Sequence, residues 1–232
     1  MKKINDNTAN HEIIPGQVRL NGSRKMSKNP AKSRAIQQQL FKAMAKAILK
    51  RRNGNTTLDE IAAEVGRTKG TIYYHFKSKG EMLYHMTSYV YDIIGEAVTP
   101  IIRDKTLPPK ERLEKAIYAH VLVACRNWEM VRAIQWTDVS LHELPPKLAA
   151  SLRRRRNASE KKTAELIEEV ARQTSYDYPG ARVAMRMLFG IISGVFLWYR
   201  QGSGLSPEEM SRYTVDCIMD GIFSHSRDVD KV

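Results

Sequence analysis

Two short helices that follow each other closely between residues 57 and 76 constrain the fold of this chain more than any other feature. Thr57, with Glu60 three positions later, forms a capping box, which predicts a helix start, and Gly66 predicts the helix end. A second helix is expected to begin at Thr68. Two helices joined by a tight turn need a small residue where they touch and a glycine in the turn, and Ala62 lies four residues before Gly66. The unit is expected to bury a set of apolar side chains: Leu58, Ile61, Val65, Ile72 and Phe76.

Helical spacing of apolar residues continues along most of the chain, and no segment shows strand alternation with hairpin turns. Asn29 as a cap, with Pro30 at the first helical position, predicts an earlier helix. The helix that begins near Lys79 is expected to run toward Pro100. Later helices are expected to begin at about residues 109, 128, 146, 181 and 207. The sequence therefore predicts an all-α fold.

Composition divides the chain into three parts. Residues 1–28 are polar and basic with isolated apolar residues, which is typical of a flexible arm. Residues 29–85 hold the first helix and the two-helix unit, and they predict an N-terminal domain of three helices. Residues 86–232 predict a larger helical domain, so the boundary falls within the helix that begins near Lys79.

The positive charge of the chain is concentrated near its N-terminus. The net charge is +13, and residues 1–85 contain 17 Lys and Arg against 6 Asp and Glu. Residues 86–232 contain 21 basic and 19 acidic residues, so they are nearly neutral. A basic segment on a near-neutral body suggests a polyanionic partner for that segment alone, the alternative being a solvated basic surface without a specific partner.

The two-helix unit offers a surface suited to duplex DNA. The N-terminal end of the second helix would enter the major groove, where Lys69 pairs with guanine edges or with a phosphate and Gly70 permits close approach of the backbone. The predicted DNA contacts are Thr57, Arg67, Thr68, Lys69, Gly70, Thr71, Tyr73, Tyr74, His75 and Lys79. The alternatives are a purely structural helical corner for the unit and, for His75, a packing role.

These residues carry a family resemblance. The stretches 56–62 (TTLDEIA) and 66–76 (GRTKGTIYYHF), followed by Lys79 and Leu83, closely resemble the DNA-binding region of TetR-family regulators. Arg67 departs from the family pattern, which usually has an apolar residue there, and this places Arg67 at the expected DNA face. The resemblance implies a nine-helix repressor that binds palindromic operators as a homodimer, with inducer-binding and dimerisation helices after the DNA-binding ones.

The helices at about 181–200 and 207–224 are apolar over more than one face, so they need burial on more than one side. Core packing together with a helical dimer interface meets that need, and the family resemblance implies the same. Gly190 and Gly194 would allow close helix approach. The predicted interface residues are Ile191, Val195, Tyr213, Ile218 and Ile222, with core packing in a monomer as the alternative.

Residues 197–200 (LWYR) and 204–209 (GLSPEE) are similar to the C-terminal segment of TetR-family regulators of fatty-acid, sterol and aromatic-acid degradation. Several of those respond to acyl-CoA thioesters, so the resemblance implies release from the operator by an acyl-CoA or a related apolar ligand. Four successive arginines at 153–156 point in different directions around a helix, so at least one is expected to face inward. The alternative is a solvent-exposed basic surface that pairs with nearby glutamates. The candidate ligand-binding residues are Trp128, Trp136, Arg153, Arg156, Phe189 and Trp198.

Several classes of protein are disfavoured. Enzyme signatures are missing, neither a metal site nor a cofactor is indicated, and Cys125 and Cys217 lack the spacing of a zinc site. With no signal peptide and no membrane-spanning run, a cytoplasmic, nucleoid-associated protein without membrane contact is expected. Two rival functions remain, an efflux-pump regulator that senses cationic drugs and an inducer-free nucleoid or cell-division factor with the same fold.

Overall fold

The computed structural model describes residues 30–51, 57–64, 66, 69–137, 144–173, 180–202 and 204–223. Within these ranges the chain forms helices and no strands, which confirms the predicted all-α class. The helices are α1 (Pro30–Arg51), α2 (Leu58–Glu64), α3 (Lys69–His75), α4 (Lys79–Arg103), α5 (Pro109–Arg126), α6 (Trp128–Thr137), α7 (Pro146–Gln173), α8 (Ala181–Trp198) and α9 (Pro207–Phe223). The predicted arm at residues 1–28 lies outside the described residues.

The first apolar core joins α1, α2, α3 and the first half of α4. Phe41 of α1 is fully buried at its centre, with its ring 6.1 Å from that of Phe76 and 5.6 Å from that of Tyr89. Met130 and Ala133 of α6 pack into the same cluster, as do buried residues of α7. The apolar contacts therefore continue past the domain boundary predicted within α4.

The second core is built around α5. It also contains buried residues of α7, α8 and α9, and Val121, Ile167, Phe196 and Ile218 are among its members. The apolar helix α8 has the length and composition of a membrane span, but one of its sides lies within this core. The opposite side of α8 is solvent-exposed.

Helix α4 extends one turn beyond its predicted end. Pro100 was expected to stop it, yet the helix continues to Arg103. A proline removes only the hydrogen bond to the carbonyl four residues earlier, and in the last turn one lost bond is tolerated. The Asp104 amide then closes the helix by donating to the carbonyls of Pro100 at 3.1 Å and Ile101 at 3.2 Å.

Polar contacts hold α7 alongside α4 in the same direction. The hydroxyls of Tyr84 and Ser151 lie 3.3 Å apart near the start of both helices. Further along, the Arg155 guanidinium contacts Asp92 and lies 5.8 Å from the centre of the Tyr91 ring. Beyond the end of α4, Glu169 of α7 accepts hydrogen bonds from Lys105 and Arg112. These contacts tie α7 to the helix that links the two cores.

The turn after α2 depends on a glycine. Gly66 has a φ of +62°, a left-handed conformation that costs a residue with a Cβ about 1–2 kcal/mol. We expect Gly66→Ala to destabilise the protein by about that amount in urea unfolding. Gly95→Ala is the matched control, because Gly95 lies inside α4 with open space where an alanine Cβ would lie, and alanine there should stabilise by about 0.5–1 kcal/mol. Equal effects of the two substitutions would contradict the assigned turn.

Candidate nucleic-acid interface

The start of α2 is fixed by the predicted capping box. The Thr57 amide donates to Oε2 of Glu60 at 2.9 Å, and the Glu60 amide donates to Oγ1 of Thr57 at 3.3 Å. At the other end, the Gly66 amide donates to the Ala63 carbonyl at 3.1 Å. The sequence prediction for both ends of α2 is confirmed.

The inner faces of α2 and α3 pack as expected. Ile61, Ile72 and Phe76 are fully buried, and Leu58 and Ala62 are 6% and 2% exposed. The side chain of the remaining predicted anchor, Val65, lies outside the described residues. Because Ile72 and Phe76 point inward, the orientation of α3 is fixed relative to α1 and α4.

His85 of α4 completes the packing beneath α3. Its ring lies 5.9 Å from that of Phe76 and 5.2 Å from that of Tyr84. Burial lowers the pKa of His85, so the ring is neutral at neutral pH. An uncharged histidine acts here as an aromatic spacer between the two-helix unit and α4.

The N-terminus of α4 is capped by a Ser-x-x-Glu pair, which sequence reasoning missed. Oγ of Ser78 accepts from the Glu81 amide at 3.1 Å, and the Lys77 amide donates to Oε2 of Glu81 at 2.6 Å. The Ser-x-x-Glu spacing was the signal that could have revealed it. Lys79, a predicted DNA contact, is half-buried in the first turn, where helix N-termini attract phosphate.

The outward edge of α3 is formed by Lys69, Gly70 and Tyr73, all exposed. Lys69 and Tyr73 lie one turn apart on the same side, and the side chain of Tyr73 is half-exposed at 51%. Thr57 is exposed at the start of α2. Of the other predicted contacts, Thr71, Tyr74 and His75 belong to α3 but their side chains lie outside the described residues, as do Arg67 and Thr68 altogether.

One acidic residue lies at this edge. Nζ of Lys69 donates to Oδ2 of Asp59 on α2, across the two helices. The hydrogen bond to Asp59 raises the pKa of Lys69, which therefore stays protonated. Sequence reasoning missed Asp59 because ten residues separate the pair and only the packing of α2 on α3 brings them together.

The structure does not bring the six candidate ligand residues together. Trp128 and Phe189 are half-buried against the second core. Trp198 is 55% exposed and Arg153 is exposed. Arg156 points outward, with its Nε 3.6 Å from Glu160, and the Trp136 side chain lies outside the described residues.

Two other side chains, Arg155 of α7 and His120 of α5, lie further inside than these candidates. Arg155 is the arginine of the run that turns inward, toward Asp92. His120 of α5 is partly buried with its ring 6.0 Å from that of Phe189, and burial lowers its pKa to about 4. His120 is therefore neutral at pH 7 and places a polar group beside Phe189. Sequence reasoning missed His120, because a single histidine in an apolar helix gives no distinguishing signal.

The predicted dimer interface needs correction at two residues. Val195 and Ile218 are 7% and 0% exposed and lie in the second core of a single chain, so they have no surface for a partner. Ile191 is half-buried and Tyr213 is 56% exposed, while the Ile222 side chain lies outside the described residues. The exposed apolar residues of α8 form a different set, which we call the α8 stripe: Val183, Met187, Leu197 and Trp198.

Two family models match the chain. Residues 45–86 match the model described as bacterial regulatory proteins of the tetR family. Residues 106–222 match the model described as the tetracyclin repressor-like C-terminal domain. Together these matches cover the two-helix unit, most of the first core and the whole second core.

The chain is also similar to a curated relative and to solved structures. The HTH-type transcriptional regulator YerO of Bacillus subtilis is 35% identical over 83 residues, which span 35% of this chain and 29% of YerO. The ketosteroid transcriptional regulator KstR2 of Mycobacterium tuberculosis has a TM-score of 0.69 at 20% identity, with 88% of this chain and 98% of that one covered. AibR, solved with isovaleryl coenzyme A and operator DNA, has a TM-score of 0.63 at 22% identity, with 78% and 96% covered.

Proposed function

This chain belongs to the tetR family of bacterial regulatory proteins, and on that premise we propose that it is a dimeric repressor released from its operator by a small molecule. Membership makes it a DNA-binding transcription regulator. The observation that carries the proposal is the exposed edge of α3, where Lys69, Gly70 and Tyr73 lie opposite the buried anchors Ile72 and Phe76. An α-helix presented in this way fits the major groove.

The operator is proposed to be palindromic, because a two-fold dimer presents two copies of α3. Successive major grooves on one side of DNA are about 34–36 Å apart, which sets the separation of the two copies. The phosphate contacts are assigned to Thr57 and to the capped N-terminus of α4 at Lys79, which position the protein on the duplex. Base contacts are assigned to α3.

The α8 stripe is the proposed centre of the dimer. Successive residues advance by about 100° around a helix, so Val183, Met187 and Leu197 share one side with Gly190 and Gly194. A Cβ at either glycine would meet nothing within 4 Å in a single chain. Packing within the chain therefore does not require these glycines, whereas close approach of a second α8 would. Tyr213 of α9 is the exposed aromatic residue proposed to extend the interface.

The proposed inducer is an acyl-CoA or a related apolar molecule, bound beside α5, α6 and α8 near Trp128, His120 and Phe189. The complex of AibR with isovaleryl coenzyme A supports this choice through the shared fold. The acyl chain would occupy apolar surface, and the neutral ring of His120 could hydrogen-bond a carbonyl. Control of fatty-acid or aromatic-acid catabolism follows from such a ligand.

Coupling to DNA is proposed to run through α7 and α4. A ligand acts only through different affinities for the DNA-binding and released shapes. Movement of α7 would be passed to α4 directly through the contact of Arg155 with Asp92. It would also be passed through Arg112 of α5, which contacts Glu169 of α7 and donates to the Ile102 carbonyl of α4. Since α3 is anchored to α4 through Phe76 and His85, a change in the α4 angle changes the separation of the two α3 helices.

The rival drug-sensing function receives less support. A site for cationic drugs needs buried carboxylates, and among the described residues the buried polar or charged ones include no Asp or Glu. The buried set consists of His85, Thr87, Ser88, Arg112, Thr163, Ser211 and Thr214. The experiment below also tests the other rival, an inducer-free nucleoid factor, which would bind DNA without responding to any ligand.

The proposal is tested with the purified full-length protein and a pool of random-sequence duplexes. We expect the protein to enrich a palindromic duplex, and isovaleryl-CoA or longer acyl-CoAs to release it at micromolar to millimolar concentrations. Free coenzyme A serves as the control ligand. Enrichment of no duplex would refute DNA reading by α3, and an unchanged complex with every acyl chain length would refute the inducer.

A further inference from the structure

The contact between Lys69 and Asp59 places a carboxylate at the edge that is proposed to face DNA. Asp59 lies in the first turn of α2 and Lys69 is the first residue of α3. The lysine side chain is 68% exposed and that of Asp59 is 42% exposed. The phosphates of bound DNA would repel a carboxylate at this edge and so weaken binding. The presence of Asp59 therefore calls for a benefit that offsets this repulsion.

A contribution to folding does not supply that role. Ion pairs between exposed side chains contribute little to stability, because water screens them and two long side chains lose freedom. The second oxygen of Asp59, Oδ1, lies away from solvent without a hydrogen-bond partner in the part of the chain that the structure describes. The oxygen that can meet a cation at this edge is therefore Oδ2, which accepts from Lys69.

The number of donors on Lys69 suggests what the contact achieves. An ammonium group has three N–H donors, and Asp59 accepts one of them. Two donors remain, and guanine presents two acceptors, O6 and N7, in the major groove. A lysine without a tether is a flexible point charge that binds any phosphate, whereas a tethered ammonium has a fixed direction. At neutral pH a lysine ammonium carries all three protons.

We propose that Asp59 is a positioning residue that holds the Lys69 ammonium toward one guanine in each half-site and so determines sequence specificity. The inference rests on the proposed function, since it requires α3 to read duplex DNA. Asp59 also lowers the attraction of Lys69 for phosphates in unrelated DNA. Asp59 thus strengthens binding to the specific operator and weakens binding to unrelated DNA.

The test repeats the selection from random duplexes with Asp59→Asn, Asp59→Glu and Lys69→Gln. Glu64→Gln is the matched control, because Glu64 lies on the same helix and its exposed carboxylate pairs only loosely with Lys50, at 3.9 Å. Both Asn and Gln remove one negative charge from α2. The readouts are the base preference at every position and the ratio of affinities for the selected and a scrambled duplex.

We expect Asp59→Asn to lower that ratio about 10-fold, the size of one good bidentate base contact, and to bind the scrambled duplex more tightly. The lost preference should be confined to one G·C pair in each half-site, the same pair that Lys69→Gln loses. Asp59→Glu should retain most of it, and Glu64→Gln should retain all of it.

Two outcomes would overturn the inference while leaving DNA binding established by the wild-type selection. One is an Asp59→Asn variant with the same base preference and affinity ratio as Glu64→Gln. The other is loss of preference at a pair that Lys69→Gln leaves unchanged. Failure of the wild-type protein to enrich any duplex would refute the proposed function itself, and this inference with it.

Discussion

Glutamate at both Met187 and Leu197 is expected to convert the proposed dimer into a monomer. Operator binding should then weaken by about 100-fold or more, because the two half-sites would be bound in two separate bimolecular steps. Both side chains belong to the α8 stripe and are 53% and 61% exposed in a single chain. Exposed glutamates cost the monomer little, whereas burying them without partners in an interface is strongly unfavourable. Light scattering on a sizing column measures the mass, and titration of the selected palindrome measures the affinity.

The matched control for this variant is Arg182→Glu. Arg182 is exposed on α8 but lies off the stripe, and its replacement changes the net charge by the same amount as the double substitution. We expect this control to remain dimeric. Affinity for an isolated half-site should be similar in both variants, since α3 is untouched. A Met187→Glu/Leu197→Glu protein with the mass of a dimer would place the interface elsewhere.

The sequence was sufficient for elements that depend on local interactions. The cap of α2 joins Thr57 and Glu60, which are three positions apart, and the structure contains it. The buried anchors of α2 and α3 follow from helical spacing together with the small residue Ala62. The helix boundaries were predicted closely, except that α4 continues past Pro100.

Which side of an apolar helix faces the core could not be predicted from α8 or α9 alone. Both helices are apolar on several sides, so composition gave no reason to choose between core and interface. Packing in the second core decided the matter by burying Val195 and Ile218 and leaving Met187 and Leu197 outside. The same packing placed Trp198, a candidate ligand residue, on the exposed stripe.

Contacts between distant charged residues were also beyond sequence reasoning. Four arginines at 153–156 are chemically alike, and only the position of Asp92 on the neighbouring helix selects Arg155. The pairing of Asp59 with Lys69 likewise depends on the angle between α2 and α3. Such pairs are set by tertiary geometry, so the candidate site was predicted without its acidic member.

Removal of the Glu169 carboxylate is expected to destabilise the protein by about 3 kcal/mol, near the lower end of the cost of stripping the partner from a buried ion pair. The Arg112 side chain is only 3% exposed, and its guanidinium contacts Glu169 and donates to the Ile102 carbonyl at 3.0 Å. Glu169→Gln removes the carboxylate in contact with that buried cation, and the charge of Asp104 interacts with it more weakly. For a chain of this size the melting temperature should fall by roughly 6–12 °C.

The pH dependence gives this prediction a second signature. Hydrogen bonds from Lys105 and then Arg112 lower the pKa of Glu169 from its ordinary 4.5. An acid with a lowered pKa in the folded state stabilises the protein above its unfolded value, and the gain is lost as pH falls through the folded value. The difference in free energy of unfolding between the wild type and Glu169→Gln should therefore be largest above about pH 5. It should become smaller below pH 4.5.

Two comparisons separate the ion pair from a general effect of charge on α7. Glu168→Gln removes a neighbouring carboxylate whose exposed pair with Arg172, at 3.5 Å, should contribute less than about 1 kcal/mol. Arg112→Met/Glu169→Leu replaces both charges by apolar groups and should recover much of the stability that Glu169→Gln loses, because no buried charge is left unpaired. If Glu168→Gln and Glu169→Gln were equally mild, Arg112 would not depend on Glu169, and the contact could not hold α7 to the end of α4.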